Sequence, residues 1–233
     1  MWLTPARRRG VEMLDDPAVD PALAERSLRD VALANRLFGG RHAILREVRA
    51  VLQRVPPRTA VQLLDVGTGL GDIPRAAMRL APSLNVSLST FGLELTPRLA
   101  SVAGRTCTHA VAADATCLPF ANRSVDIVTC SQVLHHFEAP EATRLLQECA
   151  RVASRAVVIG DLRRSWLAVA GLWTSSFALG FHPVSRHDGV VSILRGFTEQ
   201  DLKRLLFEAT GRVPRVRRSL GWRVTATLDI TQT

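Results

Sequence analysis

The sequence predicts an α/β fold organised on a parallel sheet, and three observations carry that expectation. Val61 to Leu64 is a short apolar run that reaches an acid at Asp65 and turns through Gly67, Gly69 and Gly71. It continues into a pattern with Ile73, Ala76, Ala77 and Leu80 at three- and four-residue spacing. An apolar run, a glycine turn and an amphipathic helix, in that order, mark a buried parallel strand feeding a helix. Further apolar runs follow at 86–95, 110–113, 125–130 and 156–160, with a helical pattern over 140–153 before the last. Finally, 233 residues, 47% of them hydrophobic, suffice for one large domain with a substantial core.

The glycine turn excludes two familiar ligand loops. A phosphate loop needs G-x-x-x-x-G-K-[ST], and no lysine follows these glycines. A dinucleotide loop has G-x-G-x-x-G, whereas the spacing here is G-x-G-x-G with Asp72 next. An acid at the helix start repels a pyrophosphate but tolerates a ribose or an ammonium.

Net charge is +9 and the isoelectric point about 11.1, with Lys203 the only lysine. The arginines cluster at 7–9, 163–164 and 215–218 and are otherwise scattered. That distribution reads as solvated surface charge rather than a nucleic-acid or membrane-binding face. Aromatic residues are 5%, so stacking platforms for RNA are scarce. Cys107, Cys117, Cys130 and Cys149 form no C-x-x-C and lie in apolar contexts; they read as reduced core thiols of a cytoplasmic protein. No metal site is expected from their spacing. No apolar secretory segment follows Met1, and no internal repeat is evident.

In chain order, residues 1–19 read as a weakly structured lead-in. Asp20-Pro21 is a helix start, with an acid at the cap and Pro in the first turn; the helix runs to Gly39-Gly40. A second helix is expected from about His42 to Gln53, before Pro56-Pro57. The strand at 86–95 ends in Glu94, and an ionised carboxylate at a strand end can accept both hydrogen bonds of a ribose diol. The strand at 110–113 leads to Asp114-Ala115, and Val125 to Cys130 leads to Ser131 and the pair His135-His136. The fifth strand ends at Asp161. Thr198 and Asp201 form a capping box before the last helix, and Val213–Val216 and Trp222–Asp229 form an antiparallel edge around Gly221.

Four of these segments, VQLLDVGTGLGD, GLELTPRLASVA, AADATCLPF and VDIVTCSQVLHHF, stand in the order found in the class I S-adenosylmethionine (SAM)-dependent methyltransferases, and the chain resembles that family over roughly residues 60–210. The resemblance implies a doubly wound, seven-stranded, mostly parallel sheet with an antiparallel last strand. It implies SAM as cofactor. Asp65, Gly67, Thr68, Gly69 and Gly71 would then meet its amino-acid end, Glu94 and Leu95 its ribose, Asp114 and Ala115 its adenine, with Ser131 beside the transferable methyl. The P-G-G turn usual before the fifth strand is replaced by Ala153-Ser154-Arg155. The [ND]-P-P-[YF] turn of amine methylases is absent, Ser131-Gln132-Val133-Leu134 standing in its place. Cys130 reads as core.

Two readings of the histidine pair stay open: His136 as a base for a hydroxyl proton, or a pair that packs behind the strand. The resemblance further implies a helical lid over 1–58, with Asn35, Arg36 and Gly39 near the ligand. It implies a methyltransferase domain over 59–233, with a substrate insert at about 162–196. Trp166 to Phe181 carries no charge across sixteen residues, short of the roughly 20 that span a bilayer, and reads as a buried or pocket-lining helix. The following stretch, His182 to Gly189, reads as a polar loop in which Arg186, His187 and Asp188 grip substrate and His187 serves as a second candidate base. Arg164 and Trp173 are further substrate candidates. The expected activity is methyl transfer to a hydroxyl of a small aromatic or polyketide-like metabolite. A C-methyltransferase on a quinone precursor, an RNA methyltransferase and a SAM-binding protein without transfer activity remain as alternatives.

Overall fold

The computed structural model describes residues 3–231 other than 9 and 17. Arg9 of the first arginine cluster, and Met1, therefore lie outside the described residues. Helix α1, Pro21–Leu37, starts as expected: the Asp20 carboxylate accepts from the amides of Ala22 and Leu23, and Pro21 needs no donor in the first turn. Helix α2, Gly40–Leu52, follows after Gly39 in the left-handed region. The strands and helices β1 (Ala60–Val66), α3 (Asp72–Leu80), β2 (Ser87–Glu94), α4 (Pro97–Ala103), β3 (His109–Ala112), β4 (Val125–Ser131), α5 (Ala139–Val152) and β5 (Ala153–Leu162) alternate through the middle of the chain. Helices α6 (Trp166–Ala178), α7 (Pro183–Arg195) and α8 (Glu199–Thr210) precede the final strands β6 (Arg215–Ser219) and β7 (Arg223–Asp229).

The seven strands lie in the order β3-β2-β1-β4-β5-β7-β6. β1 pairs parallel with β2 and with β4, and β7 alone runs against its neighbours β5 and β6. The chain thus winds outward from β1 in one direction and from β4 in the other. A crevice opens between their carboxyl ends, where doubly wound sheets take ligands. Period-2 alternation divides the buried residues between two faces. Leu64, Val66, Val128 and Ile159 pack with Leu145, Leu146, Leu202 and Leu206 of α5 and α8. Leu63, Ile127 and Val158 pack with Ile44, Val48, Ile73 and Ala77 of α2 and α3. The capping box of Thr198 and Asp201 forms as expected.

Four local expectations are corrected. Residues 182–189 are not a loop but the start of α7: His182 caps the helix and Pro183 occupies its first turn. Helix α6 ends at Ala178, and its exposed face carries Trp166, Leu167, Trp173 and Phe177, while Ala168 and Leu172 line a cavity as expected. The described residues of the lead-in are fastened to α7. The Arg8 amide donates to Leu194 O, the Arg7 guanidinium to Arg195 O, and the amides of Met13 and Leu14 to the Asp188 carboxylate at 2.9 and 3.0 Å. Cys117 is exposed, while Cys107, Cys130 and Cys149 are buried as read. The absent P-G-G turn also finds its reason: α5 passes straight into β5 at Ala153 with no intervening loop. Among the described residues, no helix is long and apolar enough to cross a membrane.

One buried acid ties the N-terminal helices to the sheet. Glu47 of α2 is 1% exposed. It pairs with Arg46 at 2.8 Å and with Arg215 of β6 at 3.1 Å, and accepts from the Thr227 hydroxyl of β7 at 3.2 Å. Truncating it leaves a buried hydroxyl without its acceptor. Glu47→Ala is expected to lower the unfolding free energy by about 2 kcal/mol, read from the urea midpoint.

Candidate active site

The site begins in the turn after β1. Gly67, Gly69 and Gly71 all have positive φ, at 66°, 57° and 68°. Gly67 and Gly71 have no room for a side chain: a Cβ would run into Val133 at the first and Thr106 at the second. Gly69 differs, because a Cβ there would meet only Leu28 of α1, across the crevice. Its amide donates to the Glu94 carboxylate at the end of β2, so one strand-end acid holds the glycine turn of its neighbour.

Asp65 lies under this turn, 2% exposed, and accepts from the Thr129 hydroxyl of β4 at 2.6 Å. Burial pushes its carboxyl up to about 7, against the Thr129 hydrogen bond and with a further push from the charges of Asp72 and Glu94. Burial likewise raises Glu94, opposed by the amides of Gly69 and Leu95, and raises Asp72, opposed chiefly by the Arg41 charge. Asp65, Glu94 and Asp72 gather at the strand-end crevice, where a cationic or diol-bearing ligand would favour their ionised, acceptor form.

A cavity of about 730 Å³ runs from this turn to the far side of the crevice. Of the residues expected to meet the cofactor, Asp65, Gly67, Thr68, Gly69, Glu94, Leu95, Asp114, Ala115 and Ser131 line it, and Gly71 stands behind the wall. Asn35 lines it as well, while Arg36 and Gly39 do not. The opposite end combines an apolar wall, including Leu162, Ala168, Leu172, Phe181 and Ile193, with His135, His136, Glu12 and Asp15. His135 Nδ1 lies 2.7 Å from Asp161 Oδ1 at the end of β5, and His136 Nδ1 lies 3.0 Å from Asp15 Oδ1. Burial works against charge on His136, but the Asp15 hydrogen bond and the carboxylates of Glu12, Asp15 and Asp161 outweigh it and raise its pKa. Burial also works against charge on Asp15, where His136 and Arg195 prevail and hold it down at about 2.

Of the remaining substrate candidates, Asp188 lines the cavity and the others stand away from it. Arg164 is spent on Pro5 O, Gly196 O and the Asp201 carboxylate. Arg186 lies over the Phe177 ring, 4.2 Å from its centroid, and Trp173 packs edge-on against the same ring on the exposed side of α6. With 182–189 helical, His187 Nδ1 still lies 2.8 Å from Asp188 Oδ1, but Arg186 is turned away from them, over Phe177. His187 is half exposed beside Asp188, and Asp188, although it faces the cavity, spends both oxygens on Met13 and Leu14. Glu12, Asp15 and Arg223 were not among the expected site residues. The buried Arg223 lines the cavity, its pKa lowered to about 10 by burial and partly restored by Asp161.

Comparison with known proteins agrees with this geometry. Residues 64–158 match the methyltransferase domain family. The demethylmenaquinone methyltransferase of Thermotoga maritima is 31% identical over 112 residues, 47% of this chain. The match spans 44% of that relative, less than half its length. The fold is shared with the plantazolicin methyltransferase (TM-score 0.63, 12% identity, 91% of this chain and 90% of that one). It is shared also with the magnesium protoporphyrin IX methyltransferase of Synechocystis PCC 6803 with bound S-adenosylhomocysteine (TM-score 0.54, 17% identity, 92% and 88%). Residues 64–158 thus carry the match to a methyltransferase domain, within a fold shared with SAM-dependent methyltransferases. SAM is the cofactor of such domains, and the crevice fits it: bare glycine backbone at Gly69, a strand-end carboxylate at Glu94 and a buried acid at Asp65 face one continuous cavity.

The raised Asp65 also sets a pH dependence. An acid held protonated in the fold contributes stability that is complete below its unfolded pKa near 3.8 and is lost as pH rises through about 7. Relative to Asp65→Asn, the cofactor-free wild type should therefore lose about 1.4 kcal/mol per pH unit across that interval, measured by urea unfolding at pH 5, 6, 7 and 8.

Proposed function

We propose that this protein transfers a methyl group from SAM to a hydroxyl oxygen of a small apolar or aromatic metabolite. The carrying observation is the single cavity that joins the Gly69–Glu94 end to a pair of carboxylate-held imidazoles through an apolar wall. Its volume, about 730 Å³, lies within the range of small-molecule sites. Bound there, SAM supplies an electrophilic methyl carbon. Glu94 and Leu95 hold its ribose, Asp114 and Ala115 its adenine, and Asp65 with the glycine turn its amino-acid end. Ser131, at the end of β4, faces the junction of the two halves of the cavity.

The acceptor half aligns an oxygen and excludes water, the two contributions that an in-line displacement most needs. With Nδ1 held by a carboxylate, His136 presents its other ring nitrogen as a site for the acceptor's proton. Helices α1 and α7 cover this half as one unit. Asp30 of α1 accepts from the His182 amide and the Ser185 hydroxyl, and Ser27 bonds Ser185 at 2.6 Å. We assign the lid to this pair together with the lead-in. A C-methyltransferase on a quinone precursor is the second reading, favoured by the likeness to a demethylmenaquinone methyltransferase.

Incubation with methyl-¹³C SAM and a panel of phenols and quinols separates the two, because methoxy and ring-methyl carbons resonate far apart; only ring-methyl product sinks the hydroxyl reading. Glu94→Gln should weaken S-adenosylhomocysteine binding about tenfold or more by calorimetry, since it removes a charge-assisted hydrogen bond.

A further inference from the structure

The acceptor end of the cavity holds a cluster brought together from two distant segments. Glu12 comes from the lead-in; His135 and His136 come from the turn after β4. Their ligand-capable atoms all lie within 4.8 Å of one another. His135 Nε2 lies 3.8 Å from Glu12 Oε1, and His136 Nδ1 lies 3.8 Å from Glu12 Oε2. Two donors that each stand about 2.1 Å from one ion are roughly 3–4 Å apart, so these separations suit a shared cation.

A second observation points to a ligand independently of the clustering. His135 is 4% exposed, and its Nε2 has no hydrogen-bond partner. Its Nδ1 faces the Asp161 carboxylate at 2.7 Å, and that carboxylate also accepts from the amides of His135 and Leu162. An ionised carboxylate only accepts, so Nδ1 donates to Asp161, and the neutral ring then offers its lone pair at Nε2. A buried nitrogen left in that state costs stability unless something occupies it. An imidazole oriented by a carboxylate on one nitrogen and open on the other is the usual form of a metal-bound histidine.

We propose that Glu12, His135 and His136 bind one divalent first-row transition-metal ion, of the zinc or cobalt type, at the acceptor end of the cavity. Two imidazoles and a carboxylate suit such an ion better than magnesium or calcium, which prefer oxygen alone. Arg195 orients the carboxylates: its guanidinium bonds Glu12 Oε1 at 3.1 Å and Asp15 Oδ2 at 3.0 Å, leaving Glu12 Oε2 and Asp15 Oδ1 turned toward His136. Ser192 also donates to Glu12 Oε1, at 2.8 Å. An ion at His136 Nδ1 replaces the proton now between that atom and Asp15 Oδ1, releases it to solvent, and gains Asp15 as a neighbouring donor. The open side faces the cavity, where a substrate hydroxyl would complete the coordination and lose its proton more readily. This last role rests on the hydroxyl reading of the function; the metal site itself does not.

The test is titration of Co²⁺ and Zn²⁺ into untagged, chelator-treated full chain, with visible absorption for cobalt and calorimetry for zinc. One equivalent should bind in the micromolar range. Glu12→Gln and His135→Gln should each weaken binding about tenfold or more, and Asp161→Asn, which acts through His135, by about tenfold. His109→Gln, on exposed β3, should bind as wild type does, and S-adenosylhomocysteine affinity should be unchanged in Glu12→Gln. Absence of binding up to millimolar cobalt overturns the proposal, as does binding that is equal in all variants with circular dichroism unchanged. Stoichiometric metal binding by a protein that yields only ring-methyl product upholds the site and sinks the hydroxyl reading alone.

Discussion

The bond between the Gly69 amide and the Glu94 carboxylate is the interaction on which the site depends. It joins the turn after β1 to the end of β2 and so fixes the mouth of the crevice. Three left-handed glycines make the turn possible, because a side chain at either of the outer two would strike Val133 or Thr106. Beneath the turn lies Asp65, whose burial raises its carboxyl to about 7. The cofactor end is thus both tightly specified and electrostatically costly before a ligand arrives. Such costs are commonly concentrated at functional sites.

The acceptor end is built on another plan. No single segment supplies it. The turn after β4 contributes two histidines, the end of β5 an acid, the lead-in two more acids, and α7 the arginine that holds them. The rigid sheet positions His135 and Asp161 through β4 and β5. Glu12 and Asp15 depend on the packing of the lead-in against α7. One wall therefore belongs to the sheet and the other to a cap, an arrangement that lets the acceptor half vary while the cofactor half stays constant.

The fold was legible because its signals are local. The apolar run and glycine turn at 61–71, the cap at Asp20-Pro21 and the Thr198–Asp201 box each act within a few residues, and all formed. The cofactor half was legible for the same reason, each expected residue lying at a strand end. The acceptor half was not. Residues 182–189 are polar and lack an apolar stripe, so periodicity suggests a loop, yet His182 and Pro183 start a helix there. In α6 every position is uncharged, and composition cannot say which face is covered; Trp173 and Phe177 turned outward. Glu12 and Asp15 meet their partners across more than a hundred residues, a distance at which spacing carries no information. The one local hint was a dense run of acids, Glu12 to Asp16, in an otherwise arginine-rich chain.

The clamp of Asp188 on the amides of Met13 and Leu14 spans 175 and 174 residues. Synthesis runs from the amino end, so residues 12–15 emerge before α7 and wait for it before they can be fastened. The sheet from β1 to β5, its pairings nearer in sequence, can assemble in the meantime. The acceptor end therefore closes only once α7 has emerged, and α8, β6 and β7, which finish the core and the sheet, emerge later still.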